Sequence, residues 1–269
     1  MIQDLSTTAV VPALEGNMAT FWAGYGRAPG AEIYEGEDLL RVLTGTSEPL
    51  FNGVFRASLM PEAVDGAIAE TLSRVASRRV PMFWWVGPST RPADLGTHLE
   101  RHGFSHAGNS PAMAVDLRTL PEEPPGTAAL AVAPVQDLET LRRWARVAAI
   151  GTEFPERFHE ELVALEAGVG LEPRGRLYTR YIAYQDGEAV GTSALLLHAG
   201  VAGIFAVATI LRARRRGIGA VLTLAPLLEA RRRGYRVGTL QSSPMGFPVY
   251  ERLGFREVSR PIEMYLWSP

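Results

Sequence analysis

The feature that most constrains this chain is an internal echo at a spacing of about 150 positions. Gly53-Val54-Phe55 returns as Gly203-Ile204-Phe205, and Glu100-Arg101-His102-Gly103-Phe104 returns as Glu251-Arg252-Leu253-Gly254-Phe255. Pro111 and Met113 return as Pro261 and Met264. One such pair would be chance. Several, in the same order and at nearly one offset, indicate duplication of a single domain type. The 269 residues are enough for two such domains. Between the copies lies Pro121-Glu122-Glu123-Pro124-Pro125-Gly126, whose prolines, glycine and acids mark a linker. The expected organisation is therefore a domain over 1–120, a linker over 121–127 and a second domain over 128–269.

The second half resolves into elements. Arg180 to Tyr184 reads as a strand, Asp186-Gly187 as a hairpin turn that needs positive φ, and Ala189 to Leu197 as the returning strand. After His198-Ala199-Gly200, Val201 to Ala208 is a third strand rich in Val, Ile and Phe. The period then changes. Ile218, Val221, Leu222, Leu224, Ala225 and Leu228 recur at helical spacing, and Arg231-Arg232-Arg233-Gly234 supplies a basic helix end and a terminating glycine. Val237 to Gln241 is a strand, Phe247 to Leu253 a short helix, and Arg256 to Val258 and Glu263 to Trp267 two closing strands. Antiparallel strands, helix, strand, helix and strands make a mixed α/β layer.

Composition removes several classes. With no cysteine the chain has no disulfide scaffold, thiolate metal site or cysteine nucleophile, and the expected compartment is the cytoplasm. The five histidines lack ligand spacing, so no metal is expected. A net charge of −2 gives no general pull toward nucleic acid, and no apolar run is long enough for a membrane span.

The informative motif is Arg214-Arg215-Arg216-Gly217-Ile218-Gly219-Ala220, between the third strand and the long helix. A helix start offers backbone N–H groups without internal partners, and its dipole favours an anion. Glycine lets a phosphate approach the backbone, and arginine adds forked, charge-assisted hydrogen bonds. A lone G-x-G would be a weak signal. This one follows a buried strand and opens an amphipathic helix.

Arg214-x-x-Gly217-x-Gly219 resembles the Q/R-x-x-G-x-G/A signature of the GNAT superfamily of acetyl-CoA-dependent N-acetyltransferases. Pro248-Val249-Tyr250-Glu251-Arg252-Leu253-Gly254-Phe255 is similar to that family's closing helix and turn. The sequence departs from the common pattern at Leu211, Arg215 and Ser243, where many members carry proline, glycine and asparagine. The resemblance covers about 128–269. It implies an α/β (α+β) fold of two tandem GNAT-like domains, each a mixed, mostly antiparallel sheet flanked by helices. It implies acetyl-CoA as co-substrate, with no metal. Val207, Ala208, Thr209, Arg214, Arg215, Arg216, Gly217, Ile218, Gly219, Ala220 and Tyr250 are the expected contacts to it.

The implied activity is acetyl transfer to a primary amine, expected to belong to a small molecule, by direct attack in a ternary complex. A backbone N–H near Val207 would polarise the thioester carbonyl, and Tyr250 would serve the departing sulfur as acid. Glu153, beside Phe154-Pro155, is the candidate general base; Glu263 is a weaker one. The alternative function is a non-catalytic acyl-CoA sensor or scaffold. The first half reads as a degenerate copy: at the fixed offset Ala63, Gly66 and Ile68 stand for Arg214, Gly217 and Gly219, with Glu62 and Asp65 nearby as repulsive charge. Asn17, Phe21, Trp22 and Tyr25 read as one face of a first helix, and Phe83-Trp84-Trp85 as a buried strand, with aromatic lining of an acceptor cleft as its alternative. The acceptor cleft is expected between the halves, because ligand sites favour domain interfaces. The sequence leaves the oligomeric state open.

Overall fold

The computed structural model describes residues 1–122, 130–171 and 177–269. Most of the linker, from position 123, and the first residues of the expected second domain lie outside these. The first half runs α1 (Thr7–Ala23), β1 (Glu32–Glu35), β2 (Leu39–Leu43), β3 (Asn52–Ala57), α2 (Val64–Arg78), β4 (Met82–Val86), α3 (Leu95–Arg101), β5 (Ser105–Ser110) and β6 (Ala112–Asp116). The second runs β7 (Leu130–Pro134), α4 (Leu138–Thr152), α5 (Glu156–Val169), β8 (Tyr178–Gln185), β9 (Glu188–His198), β10 (Val201–Thr209), α6 (Ile218–Arg232), β11 (Val237–Gln241), α7 (Phe247–Arg252), β12 (Arg256–Glu257) and β13 (Ile262–Trp267). The elements expected from the pattern of the second half are all present, with ends shifted by a few residues.

The sheets show the duplication and correct the linear division. One sheet has the order β1-β2-β3-β4-β13-β5, the other β12-β6-β11-β10-β9-β8-β7. The last strand of each half has crossed into the other half's sheet. β6 pairs antiparallel with β11 and β12, and β13 pairs antiparallel with β4 and β5. Glu263 to Trp267 therefore closes the first sheet, not the second. A boundary near 121–127 follows the chain but not the sheets. Each exchanged strand fills an interior slot and leaves no extra edge exposed.

Packing ties the halves further. α1 lies on the second sheet, where Asn17 donates from Nδ2 to the carbonyls of Leu196 and His198, each at 3.0 Å. Phe21 stacks on Phe205 with ring centroids 4.0 Å apart. The expected helical face of Asn17, Phe21 and Trp22 is thus buried, while Tyr25 falls just past the helix end. One apolar cluster includes residues of α1, β2, β6, α4, α5, β9 and β13. At about 25 cal/mol per Å² of apolar surface removed from water, such a shared core opposes separation of the halves. No helix among the described residues is long and apolar enough to cross a membrane.

Candidate functional site

The site begins at a divergence of two parallel strands. β10 and β11 are in register only at Ala202↔Gly238 and Gly203↔Thr239, after which β10 continues to Thr209 without pairing to β11. On its other side β10 carries a bulge. Phe205 pairs with Ala194 and Ala208 with Thr192, so Ala206 and Val207 together oppose Ser193. Ala206 takes φ +50, and its carbonyl accepts from the Thr192 hydroxyl at 3.0 Å. A bulge of this kind turns backbone groups out of the ladder and re-aims the strand. Val207, Ala208 and Thr209 stand on this stretch.

Beyond β10 the chain forms a turn in which Arg215 has φ +63 and Gly217, the N-cap of α6, has φ +79. Left-handed positions between right-handed ones gather N–H groups into an anion-binding concavity, continued by the free first turn of a helix. No acidic residue occupies the first turn of α6. A Cβ added at Gly219 would meet only Val207 Cγ1, at 4.0 Å, so the space over this turn is open. Arg215 and Arg216 are exposed beside it.

Arg214 is placed differently from its expected role. Its guanidinium donates to the carbonyls of Gly151, at 2.8 Å, and Thr209, at 3.1 Å, and pairs with the Glu153 carboxylate at 2.6 Å. It fastens the end of α4 to the end of β10 and holds the turn, while its side chain is spent on protein partners. Glu153, at φ +61 just past α4, is engaged by this pair; its neighbours Thr152 and Phe154 line the adjoining cavity, and it does not. Glu263 lies away from that cavity as well, accepting from the Tyr265 hydroxyl at 3.3 Å in the first sheet.

The cavity has a volume of about 370 Å³ and takes its walls from both halves. Its lining includes Phe205, Val207, Ser242 and Tyr250 from the second half and Phe21, Trp22, Phe51 and Trp85 from the first, with Phe21 stacked on Phe205. Tyr250 packs on Phe255, ring centroids 5.9 Å apart. Burial pushes its phenol up to about 12, with the Thr223 hydroxyl pulling weakly the other way. Tyr250 is therefore protonated across the neutral range and can donate.

At the cavity's inner wall Glu166 is buried; its carboxylate accepts from Tyr25 Oη at 2.6 Å and from Arg180 Nη2 at 2.5 Å. Arg180 is also buried, lies over the Tyr178 ring at 4.9 Å, and donates to the carbonyls of Gly170 and Leu171. Burial opposes its charge, but the Glu166 carboxylate more than offsets this, so the guanidinium stays charged. Sequence reasoning missed Glu166. Only its place among apolar residues of an amphipathic helix marked it. The aromatic face of α1 reads from sequence only as a helix face, yet Phe21 and Trp22 also form cavity wall; Trp85, for which cleft lining is the alternative to a buried strand, lies on that wall as well.

The same divergence occurs in the first half and is closed there. β3 and β4 pair at Gly53↔Phe83 and Val54↔Trp84, and the strands are rejoined further on by a Ser58↔Arg91 bridge. Arg91 donates to the Ala57 carbonyl at 3.1 Å, and Leu59 donates to that of Arg91 at 3.0 Å. In the second half the corresponding turn, 242–246, bonds within itself and to Pro111. The helix starts also correct the fixed-offset matching. Val64 is the structural counterpart of Ile218, which sets Ala63 against Gly217 and Asp65 against Gly219. Fifteen positions separate Gly203 from Ile218 and eleven separate Gly53 from Val64, so the connection before α2 is four residues shorter than the one before α6. Asp65 is held there by His98, at 3.0 Å, and His102, at 3.1 Å.

A family model for the acetyltransferase (GNAT) domain matches residues 152–265. No curated protein matches the chain by sequence. Among solved structures, a GCN5-related N-acetyltransferase from Kribbella flavida superposes with a TM-score of 0.66 at 19% identity, over 94% of this chain and 96% of that one. One from Sphaerobacter thermophilus gives 0.61 at 16% identity, over 98% and 92%. A tandem GNAT protein from the clavulanic acid biosynthesis pathway gives 0.61 at 13% identity, over 98% and 94%. The chain thus shares its fold, over nearly its whole length, with these three structures, and residues 152–265 of its second half match the acetyltransferase (GNAT) domain model.

Proposed function

We propose that the chain transfers an acetyl group from acetyl-CoA to a primary amine of a small molecule, using only the second half's strand divergence to hold CoA. The observation that carries this is the open gap between β10 and β11, with the glycine turn of α6 beside it and an interdomain cavity at its inner end. The residues fit the co-substrate. The pyrophosphate would sit on the N–H groups of Gly217 to Ala220, with Arg215 and Arg216 as exposed counter-charges. The pantetheine would lie along Val207 to Thr209 as an added strand.

The chemistry follows from these positions. The amine nitrogen attacks the thioester carbon from the cavity, the carbon–sulfur bond breaks with its electron pair going to sulfur, and the amine proton passes to solvent. The bulged backbone near Val207 polarises the carbonyl. Tyr250 meets the sulfur. A phenol near 12 will not surrender its proton to a thiolate whose acid has a pKa of about 8.5, so Tyr250 stabilises the leaving thiolate by donating a hydrogen bond and keeps its proton. Arg214 and Glu153 act as positioning residues, since their mutual pair fixes the end of α4 and the α6 turn.

A CoA titration by calorimetry tests the reading. One molecule per chain is expected, lost in Gly219→Ile. Two per chain, or undiminished binding in the variant, would refute it.

A further inference from the structure

The reading above leaves the acceptor open to any small amine. The cavity narrows it. Trp22, Phe51, Trp85 and Phe154 are aromatic residues of its wall. Trp22 stacks on Phe55 at 5.0 Å and lies 5.9 Å from Trp85, and Phe154 lies 5.1 Å from Phe158, so these rings are held by one another. A wall of fixed rings takes up a flat or branched apolar body with little ordering cost.

Charge narrows it further. Among the described lining residues Glu166 is the only Asp or Glu, and none of them is Arg, Lys or His. Both its oxygens are already occupied, by Tyr25 and Arg180, and the two charged side chains are each 1% exposed. The pair is neutral as a unit. A polyamine, an aminoglycoside or a basic peptide would bring several ammonium groups against described lining residues that offer no free carboxylate, and each would lose hydration without compensation there. A single ammonium is compatible, because aromatic faces attract it and it must shed its proton before attack.

Building on the acetyl-transfer reading, we infer that the acceptor is a mono-amine carried on an aromatic or bulky apolar body, of the arylalkylamine type, seated against Trp22, Phe51, Trp85 and Phe154. A volume of about 370 Å³ holds a body of one or two rings with its short amine-bearing chain directed at the acyl end.

The test uses the full chain saturated with CoA. Binding of 2-phenylethylamine, tryptamine, spermidine, kanamycin and a short peptide with a free N-terminus is measured by calorimetry. CoA release from acetyl-CoA is measured separately with each. The arylalkylamines are expected to bind at least tenfold tighter than the others. Phe154→Ala, at a partly buried position after α4, should weaken them about tenfold and leave CoA affinity unchanged; Phe154→Leu should show a smaller loss. Tightest binding by spermidine, kanamycin or the peptide, equal binding of all five, or no amine binding at all would overturn the inference. Arylalkylamine binding without CoA release from any amine would uphold the occupant and sink acetyl transfer. CoA release led by a polycation would do the reverse.

Discussion

The two halves contain the same divergence of central strands, and only one of them is left open. In the first, Arg91, in the segment after β4, bridges to Ser58 at the end of β3, the turn before the helix is four residues shorter, and Asp65 stands where Gly219 stands in the second. In the second, the strands part, the turn adopts left-handed positions at Arg215 and Gly217, and no acid blocks the helix start. Two like sheets can thus keep the same packing while a short turn, one bridge and one charge close the gap in one and leave it open in the other. The closed half still contributes, because residues of its helix α1 and Trp85 line the cavity together with residues of the other half.

The sharpest contrast in stability lies between two buried arginines. Arg180 is paired with Glu166, itself buried, whereas Arg41 in the first half pairs with the partly exposed Glu32 and Glu70. Glu166→Ala leaves a buried guanidinium uncompensated and is expected to destabilise the fold by about 3–5 kcal/mol. Glu70→Ala should cost under about 1 kcal/mol, since water and Glu32 remain to Arg41. Denaturant unfolding of both variants checks this; similar losses would mean that the halves handle buried charge alike.

CoA affinity comes next. Gly219→Ile should weaken CoA binding at least a hundredfold, about 2.7 kcal/mol, with little change in Tm because the added side chain meets open space in the free protein. Asp65→Gly should leave the stoichiometry at one, because the Ser58↔Arg91 bridge still closes that gap. A second CoA in Asp65→Gly would show that charge alone silenced the first half.

Smaller effects test the leaving-group end. Tyr250→Phe should lower kcat about ten- to hundredfold, the worth of a hydrogen bond to a charged group. Because burial holds the neutral phenol up to about 12, Tyr250 should add no alkaline limb below about pH 10. Parent and variant profiles should therefore run parallel from about pH 6 to 10, and a limb present only in the parent would mean that Tyr250 transfers its proton. Smallest of all, Glu153→Gln should lower stability by about 1 kcal/mol or less, as its carboxylate is half exposed, and change kcat by under about threefold. A loss of kcat above about a hundredfold would restore Glu153 as the base.

The sequence by itself determined the duplication, the element order of the second half and the glycine turn at α6. These are local facts: a change from period two to period 3.6, a glycine where φ must be positive, a basic helix end. It did not determine which sheet a strand joins. Ala112–Asp116 and Ile262–Trp267 carry patterns that any neighbouring strand could satisfy, and their exchange depends on which slot the finished halves leave free. A constant offset also hid the four-residue difference before α2, which set Ile68 against Gly219 until the helix starts set Asp65 there. Tyr25 and Glu166 are 141 positions apart, and nothing local in either announces the other. The cavity itself belongs to neither half. It exists because α1 of one copy packs on the sheet of the other, and only the tertiary structure, through the burial that drives that packing, decided which aromatic residues would be core and which would be wall.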